Sequence, residues 1–235
     1  SKDRYNVFLN AAWHKEKALY DRDRDFANTS DIESIGLFGG SSNTFPANIT
    51  APPGYPTFGT LNPTRPNGCQ GFNGSLPAPE WAYGPNGLCY FDPAYVAQAY
   101  PEVQTTSVFA KGTFQINKDW QAFLTGAYTT SENHNVIQPV PLSDIFNDPI
   151  ILQPSSPYYP TAYLNQYVPG YAGNPLNIRY RAVLNGNRDI TDTNDAWQIV
   201  GGIEGSWKNW DINVAGFYNE TETKEKLNGG FPQLS

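Results

Sequence analysis

The sequence predicts an all-β fold, part of a large antiparallel transmembrane β-barrel with long extracellular loops. Three observations predict it. Period-2 alternation recurs in five segments, aromatic rings bound the apolar faces of those segments, and the connections alternate between very short and very long.

The first segment, about 4–17, sets Tyr5, Val7, Leu9, Ala11 and Trp13 on one face and Asn6, Phe8, Asn10, Ala12 and His14 on the other. The second, about 107–116, sets Val108, Ala110, Gly112, Phe114 and Ile116 against Phe109, Lys111, Thr113 and Gln115. In the third, about 120–130, Trp120, Ala122, Leu124, Gly126 and Tyr128 oppose Gln121, Phe123 and Thr125. The fourth, about 196–207, aligns Trp197, Ile199, Gly201, Ile203, Gly205 and Trp207. The fifth, about 210–222, aligns Trp210, Ile212, Val214, Gly216 and Tyr218. Opposite these last two rows stand Gln198, Glu204, Asp211 and Asn213, a face suited to a wet lumen rather than a dry core.

Tyr5 to Trp13, Trp120 to Tyr128 and Trp210 to Tyr218 are each eight residues apart. Eight residues run roughly 26 Å at about 3.3 Å per residue, close to the apolar band of outer-membrane barrels. Aromatic rings favour the two membrane–water boundaries.

Two connections are tight turns, at 117–119 and 208–209, whose lengths bring the flanking apolar faces to the same side of each hairpin. The other two run over about 27–106 and 131–194, longer than compact domains carry without internal structure. Outer-membrane barrels combine short periplasmic turns with long external loops in this way.

Hydrophobic residues make up 39% of the 235 residues and charged residues only 16%, so uncharged polar residues fill the gap. The net charge of −7 and the lack of any Lys/Arg stripe exclude nucleic acid as a partner. No stretch reaches the roughly 18–20 apolar residues of a transmembrane helix. Cys69 and Cys89 lie in one Pro/Gly/Asn-rich stretch, which predicts a disulfide formed outside the cytoplasm rather than two free thiols.

Residues 178–224 (IRYRAVLNGNRDITDTNDAWQIVGGIEGSWKNWDINVAGFYNETETK), with RYNVFLNAAWHKEKAL and VFAKGTFQINKDWQAFLTGAYTTSENH, resemble wall strands of TonB-dependent outer-membrane receptors. The intervening loops resemble nothing in that family. The resemblance implies a bacterial outer-membrane location, a barrel of roughly 22 strands, a plug domain and a TonB box. It implies outer-membrane lipid and the TonB complex as partners, and uptake of a small nutrient or metal chelate captured by the loops. A plug, a TonB box and a barrel-closing strand are not found in this sequence, which predicts an internal piece of such a receptor, with the TonB contacts made elsewhere in the full-length protein.

Asp21, Asp23 and Asp25 alternate as in a calcium loop, but Phe26 stands where that loop needs Gly and Ile32 where it needs Glu, so a solvated strand extension is expected there. Asp189, Asp192, Asn194 and Asp195 read as a polar turn. His14 and His134 have no partners at metal-ligand spacing, and no nucleophile, phosphate or dinucleotide motif is present. No metal, cofactor or catalytic residue is therefore expected. The loop aromatics Trp81, Tyr83, Tyr90, Tyr158, Tyr159, Tyr163, Tyr167 and Tyr171 are the candidate ligand-binding residues for a small-molecule or oligomeric substrate. Such rings either stack on a ligand or pack the loops against each other. A soluble secreted β-rich carbohydrate-binding or adhesive module is the alternative function. It would leave rows of aromatic-bounded apolar residues facing water.

Overall fold

The computed structural model describes residues 4–32, 35–71, 74–79, 87–146 and 149–233. The chain is all-β with antiparallel sheets, and it divides into two compact units.

The first unit comprises Ser1–Ala18, Tyr100–Asn135 and Ile190–Leu227. Its sheet has five strands in chain order: β1 (Tyr5–Glu16), β2 (Glu102–Gln115), β3 (Trp120–Ile137), β4 (Arg188–Trp207) and β5 (Trp210–Gly229). The sheet is open, with β1 and β5 at its edges. β2 pairs antiparallel with both β1 and β3, and the register sets Val7 opposite Gly112 and Gly112 opposite Leu124. In the same way Leu9, Ala110 and Gly126 form a row, as do Ala11, Val108 and Tyr128. Because alternate residues project to opposite faces, each row is apolar or small on one side of the sheet.

Side-chain contacts extend the same face assignment to β4 and β5. On the polar face Gln121 donates to Glu204, Asn213 Nδ2 donates to Glu204 Oε2 at 3.2 Å, and Ser206 Oγ donates to Asp211 Oδ1 at 2.8 Å. On the apolar face the Trp197 and Tyr218 rings meet at 5.1 Å, and a Cβ on Gly201 would touch Leu124. The β2–β3 turn closes on Asn117, whose Oδ1 accepts from the Asp119 and Trp120 amides at 2.9 and 3.0 Å. In the β4–β5 turn Lys208 adopts a left-handed φ of 57°, an unusual conformation for a residue with a Cβ.

The strands run further than the aromatic-bounded faces. β2 starts at Glu102, β3 runs to Ile137, β4 starts at Arg188 and β5 runs to Gly229. Residues 189–195 are therefore strand, not the polar turn expected from composition. The reason is visible in the ladder, where each carboxylate or amide there is bonded across it. Asn228 Nδ2 donates to Asp189 (2.9 Å), Asn135 Nδ2 to Asp192 (3.1 Å), Thr223 Oγ1 to Asn194 (2.8 Å) and the Tyr128 hydroxyl to Asp195 (3.0 Å). The Asp21–Asp25 stretch differs in the other direction. Asp21–Asp23 forms a 3-10 turn instead of a strand extension, held by the Asp21 amide on the Ala97 carbonyl and by Arg22 Nη1 on the Tyr95 carbonyl at 3.2 Å.

The second unit comprises Leu19–Ala99, Val136–Asp189 and Asn228–Ser235, so most of the two long connections folds on its own core. Its central strand, Leu176–Arg181, pairs with Pro141–Leu142, Ile150–Leu152 and Asn48–Thr50. A single helix among the described residues, α1 (Thr161–Tyr167), presents Leu164 to a core with Ile49, Tyr171 and Leu176. A smaller cluster joins Ala78, Leu88 and Tyr90 to Phe38.

Polar side chains complete this unit where short strands leave backbone groups unpaired. Asn43, Asn48 and Asn62 are fully buried. Arg181, 3% exposed, donates to the Asn43 and Pro139 carbonyls at 2.9 Å each and to Ser41 Oγ at 2.7 Å, with its guanidinium over the Phe91 ring. Burial pushes its pKa down to about 10, which leaves it charged at neutral pH. Cys69 and Cys89 form a disulfide.

Candidate ligand cavity

The alternation of the strand Leu176–Arg181 sorts two chemistries to opposite sides. Ile178 and Tyr180 line a cavity of about 690 Å³. Arg179, between them, turns away to Asp144 Oδ1 (3.2 Å) and to Thr60 Oγ1 (3.3 Å), so its charge is spent elsewhere.

Three other segments close the cavity. Phe45, Pro46, Ala47 and Ile49 approach from one side, with the Phe45 ring edge-on to Tyr180 at 6.0 Å and Ile49 opposite Ile178 in the ladder. Leu152 adds a further aliphatic wall. Tyr158 and Pro160 stand just before α1, and Tyr158 and Leu184 are exposed at 85% and 80%. No described lining residue is charged. Thr64 also lines the cavity, with its hydroxyl turned to Asn62 Oδ1 at 2.7 Å. Burial pushes the Tyr180 phenol up, so it stays protonated and able to donate. A concave, apolar, few-hydroxyl site of this volume has the usual make-up of a small-molecule pocket.

A second, polar cavity of about 590 Å³ is lined in part by Asn28, Cys69, Asp92 and Tyr95. The Asp92 carboxylate is already bonded to the Thr29 hydroxyl (2.7 Å) and to the amides of Ser30 (3.1 Å) and Ala94 (3.0 Å). It ties loops together and has little capacity left for a ligand.

The eight loop aromatics separate by environment. Trp81 and Tyr83 lie outside the described residues. Tyr90 and Tyr171 are each 3% exposed, packed edge-on against Phe38 at 4.9 Å and Phe58 at 4.7 Å. The Tyr159 hydroxyl donates to the Asn174 carbonyl at 2.6 Å, and that of Tyr171 to the Pro175 carbonyl at 2.8 Å. The Tyr163 and Tyr167 rings meet on α1 at 4.6 Å, tilted by 37°. Of the described candidates only Tyr158 lines the 690 Å³ cavity. Phe45, Ile178, Tyr180 and Leu184 escape sequence reasoning. The one available signal was the alternation in LNIRYR, which places Ile178 and Tyr180 on a common face.

Among the described residues, no group of three or more His, Cys, Asp or Glu side chains is placed to hold a metal ion. His14 instead contacts Glu16 at 2.9 Å. No protein-family model matches the chain, and no curated protein or solved structure matches it at a significant level.

Proposed function

We propose that the five-stranded sheet is wall of a bacterial outer-membrane β-barrel of the TonB-dependent receptor type, and that the second unit belongs to its external, substrate-facing loops. On this reading the protein takes up a small nutrient or chelate, and the TonB complex engages parts of the full-length receptor outside this chain. The observation that carries the proposal is the register. It brings Val7, Leu9 and Leu124, exposed at 74%, 69% and 59%, onto one face, with Asn6, Asn10 and Thr125 on the other, and the shared contact of Gln121 and Asn213 with Glu204 adds Asn213 to the polar face and Val214, 60% exposed, to the apolar one. Leaving such a face in water forfeits about 25 cal/mol for each Å² of apolar area, and lipid removes that cost. The aromatic pair Phe8–Phe109, at 6.1 Å, lies on the polar face and departs from a purely hydrophilic lumen.

Spin labels placed singly at Leu124 and Thr125 of the full-length receptor in its membrane test the proposal. The label at 124 should relax preferentially with dissolved oxygen and the label at 125 with a water-soluble nickel chelate. Equal access of the nickel chelate to both would remove the sheet from lipid and favour the soluble binding module.

A further inference from the structure

We infer that the cavity between Phe45, Ile178, Tyr180 and the exposed pair Tyr158 and Leu184 is a binding site for an uncharged, ring-bearing small molecule, the substrate class of the uptake activity proposed above, on which this assignment of role rests.

Charge selects the class. With no charged side chain in the described lining, an anionic or cationic ligand would shed hydration without a countercharge, a penalty large enough to outweigh the apolar contacts. Arg179 is the nearest cation in sequence to the two lining residues of the central strand, and Asp144 holds it. Metal chelates that depend on carboxylate or catecholate charge therefore find no countercharge among the described lining residues. Shape selects rings. Phe45 and Tyr180 supply aromatic walls, and Ile49, Leu152 and Ile178 supply aliphatic ones. Aromatic and alicyclic rings fill such space with little loss of rotamer freedom. The Tyr180 hydroxyl would orient a ligand with one acceptor edge.

Size and rim exclude other occupants. The volume lies inside the roughly 300–1,000 Å³ range of small-molecule sites, whereas a protein partner covers a broad, flatter patch. At the mouth Tyr158 and Leu184 expose 85% and 80% of their surface, apolar groups that a seated ligand would cover.

The test uses the full-length receptor in lipid nanodiscs with two probes of one skeleton, neutral N-phenyl-1-naphthylamine and its sulfonated anion 1-anilinonaphthalene-8-sulfonate. Titrations are read as fluorescence above matched empty nanodiscs, which cancels partition into lipid. Ala47 lines the cavity and is only partly buried, so its replacement by Phe fills the space. The wild type should bind the neutral probe at least tenfold more tightly than the anion and at least tenfold more tightly than Ala47→Phe does. Leu184→Glu, at an exposed rim position, should weaken the neutral probe at least threefold, and it keeps the test alive if Ala47→Phe does not fold. Equal binding by wild type and both variants, no binding by the wild type, or a preference for the anion would overturn the site. If the Leu124 and Thr125 labels report lipid and the probe does not bind, the cavity assignment fails alone. If the probe binds while the labels report water on both faces, the site stands and the uptake reading falls.

Discussion

The side-chain amide of Asn48 satisfies both backbone groups of Cys89, donating from Nδ2 to the Cys89 carbonyl at 2.7 Å and accepting at Oδ1 from its amide at 3.1 Å. Both residues are essentially inaccessible. In the hairpin of Ser75–Pro77 and Cys89–Phe91 the Ala78 amide bonds the Leu88 carbonyl, so the Cys89 backbone groups point away from the partner strand, toward Asn48. Asn48 thus acts as a one-residue strand, and Asn62 Nδ2 steadies its oxygen at 2.9 Å.

Asn48→Leu keeps the volume and removes every one of these bonds. The Cys89 amide and carbonyl would lose their Asn48 partner, as would the Ser42 carbonyl, at about 1–3 kcal/mol for each buried group left unpaired, while the Asn62 amide keeps its bond to the Pro46 carbonyl. Hydrogen exchange of the Cys89 amide should accelerate at least tenfold. Wild-type protection in the variant would mean that the hairpin is held without Asn48.

The Cys69–Cys89 disulfide closes a separation of 20 residues in the same region. A cross-link over such a loop restricts the unfolded chain by about 3 kcal/mol in the entropy model. The double replacement Cys69→Ser with Cys89→Ser should lower the thermal midpoint of the second unit by several degrees. A non-reduced digest of protein from native membranes should show the two cysteine peptides linked. Free thiols at both positions, or an unchanged midpoint, would remove the bridge from the stability of this unit.

The all-β class was legible because period-2 alternation over whole strands is a strong signal, and Tyr5 to Trp13 or Trp210 to Tyr218 carries it without interruption. Strand ends were not. Beyond Trp197 and Tyr128 both faces turn polar, and bonds such as Asn135 to Asp192, which depend on strands distant in sequence, keep the ladder going. The second unit was invisible for a related reason. Its strands are two to six residues long, too short for a period, and buried Asn and Arg side chains finish its hydrogen bonding. In the cavity only Tyr158 came from sequence, since Phe45, Tyr180 and Leu184 meet through the tertiary fold.

Tyr163 gives the second unit an alkaline dependence. Burial, followed by its neighbour Tyr167, pushes its phenol up to about 12 from the ordinary 10.0. The folded state therefore keeps a proton that the unfolded state releases. This contribution is fully present below pH 10 and is lost as pH rises from 10 to about 12. Absorbance titration of tyrosinate should contain a late-ionising component that Tyr163→Phe removes, and the variant should lose less stability across that window. A titration curve unchanged by Tyr163→Phe, apart from the loss of one ordinary phenol, would overturn the assignment.

The sharpest test of the wall lies in β5, where adjacent residues face opposite ways. Val214 is 60% exposed on the apolar face, and Asn213 donates to Glu204 Oε2 on the polar face. If the apolar face meets hydrocarbon, an arginine at 214 near the midplane costs about 2–4 kcal/mol, because its charge must enter the bilayer or draw water into it. At 213 the guanidinium would stand beside the Glu204 carboxylate, in a lumen that also offers water, so the change should be mild. Val214→Arg should then lower the folding stability of the full-length receptor in lipid by at least 2 kcal/mol more than Asn213→Arg, about a thirtyfold shift in the folding equilibrium. Crowding could add a penalty at either site, and Val214→Leu and Asn213→Gln report it as size controls. Equal penalties, or a larger one at 213 after that correction, would mean that the faces are reversed or that β5 never meets lipid.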